Sequence, residues 1–401
     1  MTFGPSPPAQ RALDSRDVSL PATAPQRFSD IDWRWALPRI LLVFLVTRLL
    51  VLVVLVAVET TQPAPPEGIR ADDRPILGSL TAWDGGYYLD LVENGYRAEA
   101  DPFPNYAFFP AYPVLVRGAT LLTGGDISLA AVVVSNVALF AALVAFYALS
   151  LRHLTPGRSI WALWFLLLAP GAIGFSMSYT EGLFLLFACG AFFAAETRRP
   201  WVTGILLAFA ALTRVPGILL LLPIIVMYIQ RDGIRPTRDW IPLLLPILAV
   251  GGFFLVLWDL TGDPLATFSA QDFWRSTGPY AEEVVAAGAV ESSEATMVIS
   301  SAPSYVIGIW IATIAFYAFL CVYFRHDRMP LAYWIVAILG IVGVFASGKL
   351  LSAPRYIVAS FPFYWVLANR TSLRGRTAVL VAFAAVQVLL LWLAFTWSVP
   401  P

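Results

Sequence analysis

One carboxylate and two guanidiniums stand beside long apolar runs, a setting in which an ionised group marks a functional site by default. The carboxylate is Asp84, in TAWDGGYYLDLVENGY at 81–96, between Trp83 and two glycines. Tyr88, Leu91 and Val92 follow at helical spacing, so this stretch reads as an amphipathic helix on the membrane surface with Asp84 at its N-terminal end. There Asp84 either works in a site or only caps the helix. The first guanidinium, Arg214, lies in LTRVPG at 212–217, a tight turn where it needs an anionic partner or water. The second, Arg355, opens a span in SAPRY at 352–356, followed by Tyr356. At a helix N-terminus it is a natural phosphate ligand; the plainer reading is a side chain snorkelling to the interface. Ser176, Tyr179 and Glu181 share the short turn FSMSYTEG at 175–182. Gln271, Trp274 and Arg275, in TGDPLATFSAQDFWR at 261–275, bear recognition groups or belong to an ordinary amphipathic surface helix.

These residues need a membrane to position them. Of 401 residues, 59% are hydrophobic and 13% charged, with a mean hydropathy of +0.73; soluble domains carry about 25% charged residues. The chain reads as an all-α polytopic membrane protein of about 11 transmembrane helices, at 37–58, 127–150, 159–175, 178–195, 201–213, 215–230, 240–260, 303–324, 330–346, 355–368 and 377–397. Residues 106–122, broken by Pro110 and Pro113, read as a partly embedded re-entry. Arginines gather in alternate connections, from Arg34 and Arg39 to Arg152 and Arg158, then Arg198 and Arg199, and on to Arg374 and Arg376. That pattern puts the N-terminus in the cytoplasm and the C-terminus outside. Residues 1–36 read as a disordered cytoplasmic tail and 37–397 as one transmembrane domain, with two long external loops, 59–106 and 261–302, that hold interfacial helices. All the chemistry-bearing segments then face outward. Zero net charge leaves no field to recruit nucleic acid. Cys189 and Cys321, inside apolar runs, are packing residues rather than a disulfide framework or thiolate metal site.

The segments WDGGYYLDLVENGY, AFFPAYP, SYTEGLF, LTRVPG, GDPLATFSAQDFW and SAPRYIVASFPF, in this order over roughly residues 38–370, resemble the bacterial relatives of PIG-V-type mannosyltransferases in the GT-C superfamily. The resemblance implies a GT-C-like bundle in a bacterial plasma membrane. It implies transfer of a sugar, typically mannose, from a polyprenyl-phosphate donor with inversion on the non-cytoplasmic face. Asp84 matches the family's acidic base in the first external loop. The family's usual Ser-Glu turn is here Tyr179-Thr180-Glu181, and Val215-Pro216 stands where an Asn often precedes the glycine, so the acid and Arg214 are kept and their neighbours are not.

Such a reaction requires Asp84 to take the acceptor's proton, Arg355 and then Arg214 to stabilise the leaving phosphate, and Glu181, Tyr88, Gln271 and Trp274 to read hydroxyls of sugar or acceptor. Tyr179 and Tyr356 complete the expected binding set. Apart from the lipid-phosphate sugar as co-substrate, the partners are membrane lipids and an acceptor that is a glycolipid, a polysaccharide or a protein. No glycine-rich phosphate loop or Rossmann pattern supports a nucleotide-sugar donor. Asp72-Asp73 offers a divalent-metal pair, but adjacent loop carboxylates read first as solvated, and no metal site is assigned. The reading from another class is a transporter or lipid-linked-sugar flippase, against which the spans show no inverted repeat.

Overall fold

In a computed structural model, residues 27–62, 72–97, 105–234, 237–277, 304–323, 329–347 and 353–396 are described. Most of the expected N-terminal tail and the distal part of the 261–302 loop lie outside them. Among the described residues the regular elements are all helices. The bundle opens with α1 (Trp33–Thr61), capped by the Asp32 carboxylate, which accepts from the Trp35 amide at 3.2 Å. Two short helices follow, α2 (Pro75–Thr81) and α3 (Asp84–Asn94), then a 3-10 turn at Asn105–Ala107 and α4 (Ala111–Ala119). They are short helices in the stretch between the first two expected spans, and α3 buries the Tyr88, Leu91 and Val92 stripe.

The chain returns through α5 (Ile127–Ser150), capped by Asp126. Two hairpins come next: α6 (Pro156–Leu168) with α7 (Glu181–Glu196), then α8 (Pro200–Ala211) with α9 (Pro216–Leu219) and α10 (Leu221–Asp232). A 3-10 stretch at Arg238–Leu244 runs into α11 (Leu245–Thr261), and α12 (Ala266–Thr277) folds over the end of the bundle. The described chain closes with α13 (Ser304–Tyr323), α14 (Leu331–Ser347), α15 (Ala353–Val358), α16 (Pro362–Arg370) and α17 (Leu373–Phe395).

Among the described residues, 4 helical stretches are long and apolar enough to cross a membrane: α1, α5, Arg238–Thr261 and α17. Several expected spans are shorter than a bilayer. The 159–175 segment leaves the helix at Leu168, where Pro170 and Gly171 follow, and continues as a 3-10 turn at Ala172–Phe175. Residues 215–230 divide at Leu220, and 355–368 divides at 359–361 ahead of Pro362. At about 1.5 Å per residue, the 13 residues of α6, 16 of α7 and 12 of α8 reach about 20, 24 and 18 Å. A hydrocarbon core is about 30 Å thick. The first hairpin apex, 169–180, is buried among the helices, and the second, 212–215, is buried or half-buried.

The main core is aromatic, with Phe146, Phe165, Phe361 and Tyr364 fully buried. Its polar knot is at the end away from the hairpin apices. Glu196 accepts from Arg152 Nε at 2.8 Å and from the Tyr333 hydroxyl at 2.5 Å, and it pairs with His153 Nε2 at 2.8 Å. The knot joins α7 and α14 to the turn after α5. At the opposite end Gln387 of α17 pins the first apex: its amide donates to the Ala169 carbonyl at 2.9 Å and accepts from the Ile173 amide at 2.8 Å.

Candidate functional site

Asp84 owes its direction to the residue before it. Trp83 adopts φ 58 and ψ −129, a left-handed conformation that a bulky side chain takes only under constraint. Packing supplies the constraint, since Trp83 lies against the cluster of Val54, Leu55, Tyr179 and Leu391. The sharp turn starts α3 at Asp84 with no side-chain cap bond at its N-cap. The Asp84 carboxylate instead accepts from Arg355 Nη2 at 2.5 Å, across 271 residues of sequence. Asp84 thus does more than stand in the first turn of a helix: it pairs with a cation from the far end of the sequence.

The other charges complete an alternating row. Arg355 Nε lies 3.2 Å from Glu181 Oε1, and the same oxygen lies 3.0 Å from Arg214 Nη1. The order is Asp84, Arg355, Glu181, Arg214, with side-chain exposures of 37%, 8%, 2% and 13%. Glu181 Oε2 is buried without a hydrogen-bond partner. Glu181 is thus first a bridge between two cations. Aromatic faces line the row: the Arg355 guanidinium stands 4.8 Å from the Tyr179 ring centroid, and Tyr356 lies 5.5 Å from Arg214 and 5.7 Å from Arg355.

Space for Arg355 comes from two glycines in the first apex. Gly171, at φ +87, meets the Pro354 backbone so closely that no Cβ fits. A Cβ on Gly174 would lie 2.9 Å from Arg355 Cγ and 3.3 Å from Glu181 Cδ. The apex is tied to α1 as well, because Arg48 donates to the Phe175 carbonyl at 3.0 Å and to Ser176 Oγ at 2.8 Å. Ser176 therefore faces Arg48 and not the ionic row.

The row borders a cavity of about 390 Å³. Its polar lining includes Asp84, Tyr88, Glu181, Arg214, Gln271 and Arg355. Glu181, Phe184 and Ala188 follow one another at spacings of three and four on α7, so one helix face leads about 10 Å from the ionic end into an apolar arm. Leu219, Val336, Leu339, Gly340 and Phe361 line that arm too. Tyr88 is wedged edge-on between Phe108 and Tyr112, and burial pushes its hydroxyl above the usual range, so it serves as a hydrogen-bonding group and not as a base.

Eight of the nine residues expected at the site thus converge on one cavity: Asp84, Tyr88, Tyr179, Glu181, Arg214, Gln271, Arg355 and Tyr356. The ninth, Trp274, is on α12 with its side chain outside the described residues. Asp72, half of the adjacent acidic pair, is engaged by Arg74 at 2.5 Å. Sequence reasoning missed Arg48, Gly171, Gly174 and the apolar arm around Gly340. Arg48 had a readable signal, an arginine in the middle of the apolar run at 37–58.

Comparison with known proteins adds a family. Residues 37–232 match the model of the mannosyltransferase (PIG-V) family. GPI alpha-1,6-mannosyltransferase 2 of Homo sapiens is 33% identical over 153 residues, which cover 36% of this chain and 30% of that protein. Its counterpart in Rattus norvegicus is 30% identical over 165 residues, 39% of this chain and 33% of that protein. The match thus spans about a third of the length of these relatives. Among solved structures, ArnT from Cupriavidus metallidurans bound to undecaprenyl phosphate superposes with a TM-score of 0.47 at 14% identity, over 92% of this chain and 77% of that one.

Proposed function

We propose that this chain, whose residues 37–232 match the mannosyltransferase (PIG-V) family, is an inverting glycosyltransferase. It moves a hexose, mannose on the family's pattern, from a polyprenyl-phosphate donor to a hydroxyl of a glycolipid, polysaccharide or protein. The transfer takes place on the non-cytoplasmic face of the plasma membrane, where the positive-inside pattern puts the site. The observation that carries this reading is the two-ended cavity, ionic around Asp84, Arg214 and Arg355 and apolar along α7 and α14. A sugar phosphate joined to an isoprenoid has the same two-ended chemistry.

In the reaction the acceptor oxygen forms a bond to the anomeric carbon as the bond from that carbon to the phosphate oxygen breaks. Asp84 receives the hydroxyl proton, and the bonding electron pair leaves on the phosphate. A guanidinium of the row offsets the charge that gathers there. The charge of the site stays level through the step, because Asp84 loses one negative charge by protonation as the phosphate gains one. In a membrane-embedded site, where separating charge is costly, that balance favours a carboxylate base working against a phosphate leaving group.

The test is transfer by the purified protein from polyprenyl-phosphate-mannose to an extract of acceptor lipids, with Asp84→Asn alongside. Transfer by the wild type and a loss of about hundredfold or more in the variant are expected. A folded wild-type protein that transfers from no lipid-phosphate sugar would overturn the reading. Undiminished transfer by Asp84→Asn would remove the base from position 84.

A further inference from the structure

The two arginines of the row are not equivalent. Arg355 lies between two carboxylates, 2.5 Å from Asp84 and 3.2 Å from Glu181. Arg214 touches one, Glu181 at 3.0 Å, and among the described residues no other carboxylate is paired with it. An anion approaching Arg355 meets a local group of net charge −1, made by Asp84, Arg355 and Glu181. An anion approaching Arg214 meets the positive end of the row, and the Arg214 side chain is the more exposed of the two, 13% against 8%.

Arg214 also stands beside the apolar arm. The chain leaves it directly into Val215, Pro216 and Leu219, all of which line the cavity. In a lipid phosphate the phosphate is bonded straight to the hydrocarbon, so it must rest where the polar and apolar linings meet. Arg355 runs on into lining residues as well, Tyr356, Ala359 and Phe361, so what separates the two arginines is the pair of carboxylates that already holds Arg355. We propose, on the functional reading above, that Arg214 holds the donor phosphate and that Arg355 is a positioning residue for the base, fixing the Asp84 carboxylate and keeping it ionised. Glu181 sets the two guanidiniums apart by sharing one oxygen between them.

Among the described residues, the charged and titratable groups near Asp84 include Arg355 on α15, Glu181 on α7, Arg214 beyond it, Tyr179 in the apex and Tyr88 on its own helix. Of these Arg355 is the cation in contact. Its removal frees Asp84 to bind a proton more readily, and it leaves the carboxylate nearer Glu181 unscreened; both effects raise the pH at which Asp84 becomes an active base.

Three variants, Arg214→Gln, Arg355→Gln and Arg355→Lys, are compared with the wild type for binding of polyprenyl phosphate in nanodiscs and for transfer across a pH series. Arg214→Gln is expected to weaken polyprenyl-phosphate binding about tenfold or more, the loss of one hydrogen-bonded charge, with the acid limb of the rate profile unmoved. Arg355→Gln is expected to bind polyprenyl phosphate within about twofold of wild type, while its acid limb moves up by about one pH unit or more. Arg355→Lys, which keeps the charge, is expected to return that limb toward wild type. The reverse pattern, with binding lost in Arg355→Gln and kept in Arg214→Gln, overturns the division of roles and leaves the enzyme assignment standing. A wild-type protein that neither binds polyprenyl phosphate nor transfers sugar overturns the functional reading itself.

Discussion

At the scale of single residues, the site is a matter of who stands next to whom. Asp84, Glu181, Arg214 and Arg355 were legible in the sequence because each is an ionised group beside apolar runs. Their pairing was not legible, since Asp84 and Arg355 are 271 residues apart and local spacing carries no information over that distance. The glycines that make room were hidden for a related reason: Gly174 looks like any loop glycine until Arg355 Cγ is found beside it. Gly174→Ala therefore has a definite expectation. The added methyl group pushes the Arg355 stem out of line, and transfer falls steeply. The unfolding midpoint moves little, because the side chain displaced is the flexible part of an arginine. Equal losses of activity and of folded protein would mean that the apex itself had collapsed.

At the scale of elements, polar ties decide how the helices are held. Glu196 is the acceptor for Arg152 and Tyr333 and the partner of His153, so removing it strands buried cations and a buried hydroxyl at once. Glu196→Ala is expected to destabilise the bundle by about 3–5 kcal/mol, seen as a lower unfolding midpoint in detergent. Polyprenyl-phosphate affinity of the surviving folded fraction should match wild type, because the knot lies at the end of the bundle away from the ionic row. Ahead of α2, Arg74 pairs with Asp72 and Asp126 at 2.5 Å each, tying the start of that helix to the cap of α5. The hydrogen bonds from Arg74 hold both carboxyl groups below the usual range. A depressed carboxyl stabilises the fold at pH above its unfolded value, about 4, and the contribution is lost only as pH falls through the lower folded value. Proteolysis at the start of α2 should accordingly stay flat from neutral pH down to about 4 in the wild type and be higher, but equally flat, over that range in Arg74→Ala. Periodicity found these helices well where a cap and an uninterrupted apolar run coincide, as in α1, α5 and α17. It overran the helix ends at Leu168 and Leu220, where Pro170 and Gly171 or a local unwinding cut the run short.

At the scale of the whole molecule, the ionic row is gathered from distant parts of the chain and is largely buried, with the Glu181, Arg355 and Arg214 side chains 2%, 8% and 13% exposed. Charges so placed are screened weakly by salt. Transfer from a short-chain, water-soluble donor should consequently change less than about twofold between low and moderate ionic strength, whereas a site at the rim would show a steep decline. The match to the PIG-V family ends at residue 232, yet Arg355, Tyr356, Gln271 and much of α14 come from the second half of the chain. Neither half contains the site alone.

The wall formed by α14 has one further property. Near its start the helix is clamped, with the Tyr333 hydroxyl on Glu196 and the ring against His153, Phe192 and Trp365. Farther along, Gly340 and Gly343 face the cavity, with open space around Gly343 and Ser360 against Gly340. Two positions without side chains on one face leave that stretch of wall smooth, and on the proposed function a methyl-branched lipid chain lies along it with no side chain to catch on.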